Sequence, residues 1–586
     1  MNENAKKMAE DFLNNETQFH LGMLPTEQSN PKTSNLDKVF ARDAAEGVKL
    51  LLSVDYDIIP MAEKMFKSEQ FEKLVETGYR TLTSGGRIIF SGCGATGRIS
   101  IIMESAWRRF FADLRETKPE IYGKVKDFEN RVFSIMTGGD YALVKSVECF
   151  EDFAELGREQ VRQYNAGSND MLVAITEGGE TSSVLGTVDE FLNRGGKVFL
   201  LFNNPADILC KYIERSRKAI EDPRVTVLDL YCCPMAIAGS TRMQATTCEQ
   251  MTAEYAQECW IKRYFKEQLT AAEYDAFNWI DYDPAAALKA NIDAIRRDDN
   301  AESIAKLLKT EVEIYKSHGL VTYYADAFLF DIFTDTTERS PTFMLPAFKK
   351  HDDASAVPSW AFVKCPLGTT AETWRRQMCR DLRCLDWTPD DYRRMNIPDF
   401  IVENPPAISA SELLRFQVGN EFDGERVSRH PAVAITINGE IEKRTIDKFN
   451  WEMAKYAPKF DKTYSLWIGG TANHAGADFF VKAETPNSPL HLMDKLLAKL
   501  VLNTMSSGTM VLFGRISGNW MNYVQVSNKK LRDRGIRLVV ELCGVDYKTA
   551  CYALHETMEE YSHKDFSGKE LPALVQITIE RVGRKN

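Results

Sequence analysis

The sequence predicts an α/β protein made of two successive parallel five-stranded sheets flanked by helices, with an N-terminal arm and a helical C-terminal piece. Three observations predict it. From residue 87 onward, short apolar runs alternate with helical patterns, and such alternation implies parallel strands joined by crossover helices. A second alternating set begins at Leu320 and reads as a decayed internal copy of the first, at a period too long for a solenoid. From Leu492 the apolar spacing becomes helical, with Leu492, Leu496, Leu497, Leu500 and Val501 on one face.

In chain order, residues 1 to 84 read as a polar arm followed by helices, with residues 26 to 37 as an irregular link. The first set of strands is expected at 87 to 91, 131 to 136, 171 to 176, 197 to 202 and 225 to 231. Residues 276 to 318 read as connecting helices. The second set is expected at 320 to 324, 360 to 364, 399 to 403, 432 to 437 and 463 to 468, and the remainder is helical, with a last strand at 573 to 579. The expected domains are an arm over 1–84, a ligand-binding α/β unit over 85–275, a degenerate second unit over 276–490 and a helical cap over 491–586.

A chain of 586 residues with 44% hydrophobic and 27% charged residues is that of an ordinary globular protein with several cores. A net charge of -11 argues against a nucleic-acid or anionic-membrane surface, so any phosphate site should be small and enclosed. The twelve cysteines include no C-x-x-C and one adjacent pair, Cys232 and Cys233. Neither a zinc site nor a disulfide framework is indicated, and reduced thiols in the cytoplasm are expected. The N-terminus leads into no apolar core segment, and no run approaches the ~18 apolar residues of a membrane span. No cofactor and no metal is expected.

The chemistry should gather at strand ends. Ile88, Ile89 and Phe90 precede Gly92, Gly94 and Gly97, and a helical stripe of Ile99, Ile102, Met103, Ala106, Trp107, Phe110 and Phe111 follows. Glycines let a ligand approach the backbone, and the free N–H groups of a helix start favour an anion, so the stretch reads as a phosphate cradle with Thr96 offering its hydroxyl. G-x-G-x-x-G is satisfied, but the acidic residue of a dinucleotide site is misplaced; Arg98 and Ile99 occupy the Lys and Ser/Thr positions of a nucleotide P-loop. Both nucleotide readings fall away. A second loop, Thr176-Glu-Gly-Gly-Glu-Thr-Ser-Ser, opens another helix, where its hydroxyls either cap the helix or meet a ligand. A third, Ala238-Gly-Ser-Thr-Arg-Met, brings Ser240 and Arg242 to the end of the last strand. In the second set Ala325-Asp-Ala-Phe lacks the glycines, whereas Gly368, Thr369 and Thr370 survive. Lys499 borders the buried stripe of its helix, where it either snorkels to water or meets a buried anion.

These loops resemble a sugar isomerase (SIS) domain, and four stretches resemble the group holding N-acetylmuramic acid 6-phosphate etherase and glucokinase regulatory protein: Thr26-Glu-Gln-Ser-Asn-Pro, Gly92-Cys-Gly-Ala-Thr-Gly-Arg, Gly239-Ser-Thr-Arg-Met, and Leu500-Val-Leu-Asn-Thr-Met-Ser-Ser-Gly-Thr with Val526-Ser-Asn-Lys-Lys-Leu. The resemblance implies two tandem SIS domains, each an αβα sandwich, plus a helical cap. It implies a phosphosugar held by Gly94, Thr96, Gly97, Thr176, Gly178, Gly179, Thr181, Ser240 and Arg242, with Lys499 reaching in from the cap and Glu148 as a sugar-binding carboxylate.

By the same resemblance the etherase's catalytic acid lies in E-C-P-P-T-Y. Ala106 takes that Glu position in the first set, and Glu338-Arg-Ser-Pro-Thr-Phe in the second fits better, so Glu338 would cross a pseudo-twofold interface to the first pocket. The etherase's second glutamate is Asp140, one methylene shorter. The expected function is a non-catalytic phosphosugar-binding protein of the regulatory kind, binding a ligand such as fructose 6-phosphate or N-acetylmuramic acid 6-phosphate and acting on a sugar kinase. The alternatives are a lyase cleaving a lactyl ether with Glu338 and Asp140, and an aldose–ketose isomerase using His474 or His491. A monomeric pseudo-dimer or a homodimer fits either layout.

Overall fold

The computed structural model describes residues 2–147, 150–473 and 476–584. Five parallel strands form the first sheet: β1 (Ile88–Gly92), β2 (Val132–Met136), β3 (Met171–Ile175), β4 (Lys197–Phe202) and β5 (Val225–Asp229), in the order β2-β1-β3-β4-β5. All five residues of β1 and of β3 are buried, which is why these runs read as continuous apolar segments without alternation. β1 lies between its neighbours with Ile88 opposite both Val132 and Met171.

The second sheet comprises β6 (Leu320–Tyr324), β7 (Ala361–Lys364), β8 (Ala432–Gly439), β9 (Lys462–Ile468) and β10 (Phe479–Val481), in the order β10-β9-β8-β6-β7. Read from the other edge, this is the strand order of the first sheet, and all its pairings are also parallel. The fold is therefore the expected pair of parallel α/β units. Two strands differ from expectation. Residues 399 to 403 hold a single helical turn, Asp399–Val402, because Pro398 sets the helical start and Asp399 favours its first turn. The fifth strand is Phe479–Val481, whose three residues are too few to display any period.

Six helices place the site: α1 (Gly94–Thr117) after β1, α2 (Ser182–Asn193) after β3, α3 (Gln244–Gln268), α4 (Leu329–Phe343) after β6, α5 (Leu492–Leu512) and α6 (Lys529–Cys543). The stripe of α1 buries Ile99, Ile102, Met103, Trp107, Phe111 and Leu114. α5 is buried almost throughout; its apolar residues share one core with residues of both sheets and of the N-terminal helices. α6 belongs to a separate small core with Phe12, Leu554 and Ile579. The last strand expected at 573 to 579 is a helix, Leu574–Val582, whose buried Val575, Thr578 and Ile579 follow helical spacing despite their β-branched side chains. Among the described residues, no helix is long and apolar enough to cross a membrane.

Candidate functional site: a cleft where both halves and the C-terminal helices meet

The loop after β1 is shaped by close packing. A Cβ on Gly92 would sit 2.5 Å from the Thr96 carbonyl carbon, and one on Gly97 2.9 Å from the Gly92 oxygen, so the strand end and the first turn of α1 touch backbone to backbone. Gly94 has φ of 57° and starts the helix. Thr96 closes the turn on itself: its Oγ1 accepts the Cys93 N–H at 3.0 Å and donates to the Cys93 carbonyl at 2.8 Å. The single hydroxyl proton of Thr96 is thus spent on the cap, and Gly97 is a packing glycine inside the helix. Neither residue lines the cleft described below.

The loop after β3 turns at Gly179, with φ of 73° and Leu209 packed where a Cβ would go. Thr176 donates to Thr181 Oγ1 at 3.0 Å, which leaves the Thr181 proton free for another acceptor. The Gly178 carbonyl accepts Asn204 Nδ2, and that of Gly179 accepts Ser216 Oγ at 2.7 Å. The N-terminal arm buttresses this corner. Thr26 exchanges two hydrogen bonds with the Asn204 side chain and accepts the Gly239 N–H with its carbonyl.

Together these loops line a cleft of about 90 Å³, completed by Ser240 and Arg242, by Glu338 and Pro341 of α4, and by Asn528, Lys530 and Arg534 around α6. Glu338 Oε1 lies 3.8 Å from the place a Cβ on Gly94 would take. The carboxylate accepts a hydrogen bond from Arg98, which is fully buried and also donates to Ser146 Oγ at 2.7 Å and to the Ala142 carbonyl. Of the expected ligand residues, Gly94, Thr181, Ser240, Arg242 and Glu338 therefore face one space. Ser240 is 3% exposed, and its hydroxyl has no partner among the described residues.

The cations of the cleft are already matched. Arg242 donates to Asp335 and to Ser506 and Ser507. Arg534 forks onto Glu27 at 2.9 and 2.6 Å; burial would raise the Glu27 carboxyl, but Arg534 and Arg537 hold it at about 2. Lys530 lies 3.0 Å from Glu151 and 3.7 Å from Glu180, and although burial opposes its charge these carboxylates push its pKa up. One acid of the cleft, Glu177, is unlike Glu27 and Glu151 in this respect. It lines the cleft, is 8% exposed, and among the described residues forms no ion pair within 4 Å. Burial, against Lys530 and with help from Glu338 and Glu151, pushes it up to about 7.

Three expected residues lie elsewhere. Lys499 is buried behind the third loop, donating to the Arg242 and Met243 carbonyls, to Thr247 Oγ1 at 2.8 Å and to Asn503 Oδ1. Burial lowers its pKa to about 8. It supports the Ser240–Arg242 turn and does not line the cleft. Asp140, expected as the partner of Glu338, is held by Arg380 at 2.6 and 3.0 Å and by the Arg383 N–H at 2.6 Å. It belongs to an ionic cluster with Glu104 and Arg108 on the flank of β2 and is not among the residues lining the cleft that Glu338 lines. Glu148 and His474 lie outside the described residues. His491 caps α5 and pairs with Asp494 at 3.5 Å. Glu151, Glu177, Lys530 and Arg534 escaped sequence reasoning; Lys530 sits in the quoted stretch Val526-Ser-Asn-Lys-Lys-Leu, and only folding brings it opposite Glu151.

The second half seals its equivalent place. By strand order the counterparts of the loops after β1 and β3 follow β6 and β8, whereas Gly368 to Thr370 follow the edge strand β7. Glu442, on the loop after β8, accepts the Ala327 N–H at 2.9 Å and the Gly439 N–H at 3.2 Å. A carboxyl group of the chain itself thus takes up these N–H groups at the ends of β6 and β8. Among the described residues there is no group of side chains that could hold a metal ion.

A family model described as the glucokinase regulatory protein N-terminal SIS domain matches residues 69–192. The N-acetylmuramic acid 6-phosphate etherase of Pseudothermotoga lettingae is 31% identical over 232 residues, which are 39% of this chain and 67% of the relative. That of Petrotoga mobilis is 30% identical over 230 residues, covering 39% of this chain and 66% of the relative. Among solved structures, the C-terminal domain of glucosamine-fructose-6-phosphate aminotransferase from Francisella tularensis aligns over 81% of this chain and 97% of that one, with a TM-score of 0.42 and 9% identity.

Proposed function

Because this chain belongs to the sugar isomerase (SIS) family, in the group of the N-acetylmuramic acid 6-phosphate etherases and the glucokinase regulatory protein, we propose that it is a phosphosugar-binding protein of the regulatory kind. It takes a hexose or amino-sugar phosphate in the cleft between the loops after β1 and β3, with Glu338 contributed by the second half and Lys530 by α6. A sugar kinase is the fitting protein partner. The observation that carries the reading is the separation of the acids. Elimination of lactate needs one group to take a proton from the sugar carbon next to the one that holds the ether oxygen and another to protonate the departing lactate oxygen, yet Asp140 is saturated by Arg380 and Arg383 away from the cleft, and by the resemblance Ala106 takes the place of the etherase's first glutamate.

An etherase-like lyase is the second reading, favoured by one observation: Glu338 lies beside the Gly94 loop, with Glu177 in the same cleft. The two are separated by one experiment. A thermal-shift titration with fructose 6-phosphate and N-acetylmuramic acid 6-phosphate is expected to raise the unfolding midpoint by mass action, with no lactate released from the latter. Lactate release at enzyme-like rates, abolished by Glu338→Gln, would put the lyase first. A shift with ATP or NAD and none with either sugar phosphate would overturn both.

A further inference from the structure

The loop expected to hold a phosphate carries two acids, Glu177 and Glu180, and the surrounding cations are already neutralised. Lys530 on α6 serves Glu151 and Glu180, Arg534 serves Glu27, Arg242 serves Asp335, and Arg98 serves Glu338. Glu177 faces Lys530 from α6, Glu338 from α4, Glu151 from the loop before the helix preceding β3, and Glu249 from α3, where Asn203 Nδ2 donates to the Glu249 carboxyl at 2.9 Å. Three of these four neighbours are carboxyls. In the second half a glutamate on the corresponding loop, Glu442 after β8, takes the Ala327 N–H for itself. A ligand phosphate in the cleft would share it with the ionised form of Glu177, and like charges in a buried cleft repel strongly.

We propose that Glu177 sets the anion specificity of the cleft, and that, granted the phosphosugar reading above, a sugar phosphate seats only together with a proton on the Glu177 carboxyl. The step is a simple balance: one proton passes from solvent to a carboxylate oxygen, no other bond forms or breaks, and the phosphate keeps both its charges. The elevated ionisation of this carboxyl, at about 7, places the exchange within the physiological range. Neutral Glu177 can then donate a hydrogen bond to the ligand oxygen that its ionised form would repel.

The test is calorimetric titration of the full chain with fructose 6-phosphate and with N-acetylmuramic acid 6-phosphate between pH 7 and 9, where the phosphate, with its second ionisation near ~6, is already a dianion. The dissociation constant of the unaltered protein is expected to rise with pH across this range, approaching about tenfold per unit toward pH 9. The binding heat should vary with the ionisation enthalpy of the buffer, in the sense of proton uptake. Glu177→Gln should bind with a flat pH profile and, at pH 8.5, more tightly than the unaltered protein. A flat profile and no buffer dependence in the unaltered protein would overturn the proposal while leaving the phosphosugar reading intact. If Glu177→Gln fails to fold, the proton count of the unaltered protein decides by itself. If neither probe binds at any pH, the phosphosugar reading falls, and this proposal with it.

Discussion

Arg98, on the helix after the first strand of one sheet, donates to Glu338, on the helix after the first strand of the other. The guanidinium is fully buried and the carboxylate only 16% exposed, so the contact joins the two halves in a setting where a lone charge is costly. Arg98→Met is expected to destabilise the chain by about 3 to 5 kcal/mol, as for removal of one partner from a buried pair. Glu338→Gln keeps an acceptor and should cost less. Urea unfolding midpoints decide, and equal losses from both variants would deny the asymmetry.

Thr96 and Thr181 should respond differently to the same change. Thr96→Val removes a cap whose hydroxyl serves Cys93 twice, and is expected to lower stability by about 0.5 to 2 kcal/mol. Thr181→Val removes a donor facing the cleft and is expected to weaken fructose 6-phosphate binding by about 1 to 3 kcal/mol. It also leaves the buried Thr176 hydroxyl without its acceptor, so some stability is lost as well, whereas Thr96→Val should leave binding largely intact. Thermal unfolding and titration of both variants would expose a reversal.

Lys499→Met leaves two carbonyls, Thr247 and Asn503 without the ammonium they share. Stability should fall by about 1 to 3 kcal/mol, the usual cost of stranding buried acceptors. Affinity for the phosphosugar should change only through loosening of the Ser240–Arg242 turn, so Lys530→Met should weaken binding more. The contrary order would place Lys499 at the ligand.

The stability contributed by the buried acids Asp331, Glu442, Glu27 and Glu104 should pass through a maximum near pH ~4. Burial pushes Asp331 up to about 7 and Glu442 up to about 8, so the folded chain holds protons that the unfolded chain releases. Their contribution is complete below their ordinary range near 4 and is lost as pH rises through those values. On the other side, Glu27 and Glu104 are buried but held at about 2 by arginines. Their contribution is present above the ordinary carboxylate range and is lost as pH falls toward 2. A thermal midpoint at pH 8.5 equal to or above that at pH 5 would contradict this sign.

The architecture was legible because buried parallel strands are nearly pure apolar runs, and β1, β3, β4, β6 and β8 appear as such. It failed where length removed the period, at Phe479–Val481, and where β-branched residues line a helix, at Leu574–Val582. In the cleft, glycines and hydroxyls at strand ends were visible from local order. The pairings were not, since Lys530 and Glu151, Arg98 and Glu338, and Asp140 and Arg380 are separated by hundreds of residues. Sequence could name Asp140 and Glu338 as acids of the right kind; only the fold assigns one to an arginine cluster and the other to the cleft.

Glu442 gives the molecule a permanent internal occupant on one side of its pseudo-symmetry. A free ligand stabilises its pocket by an amount that grows with the logarithm of its concentration, whereas the Glu442 carboxyl is tethered and present in every copy. On the phosphosugar reading proposed above, saturation is expected at one sugar phosphate per chain, with a hyperbolic binding curve.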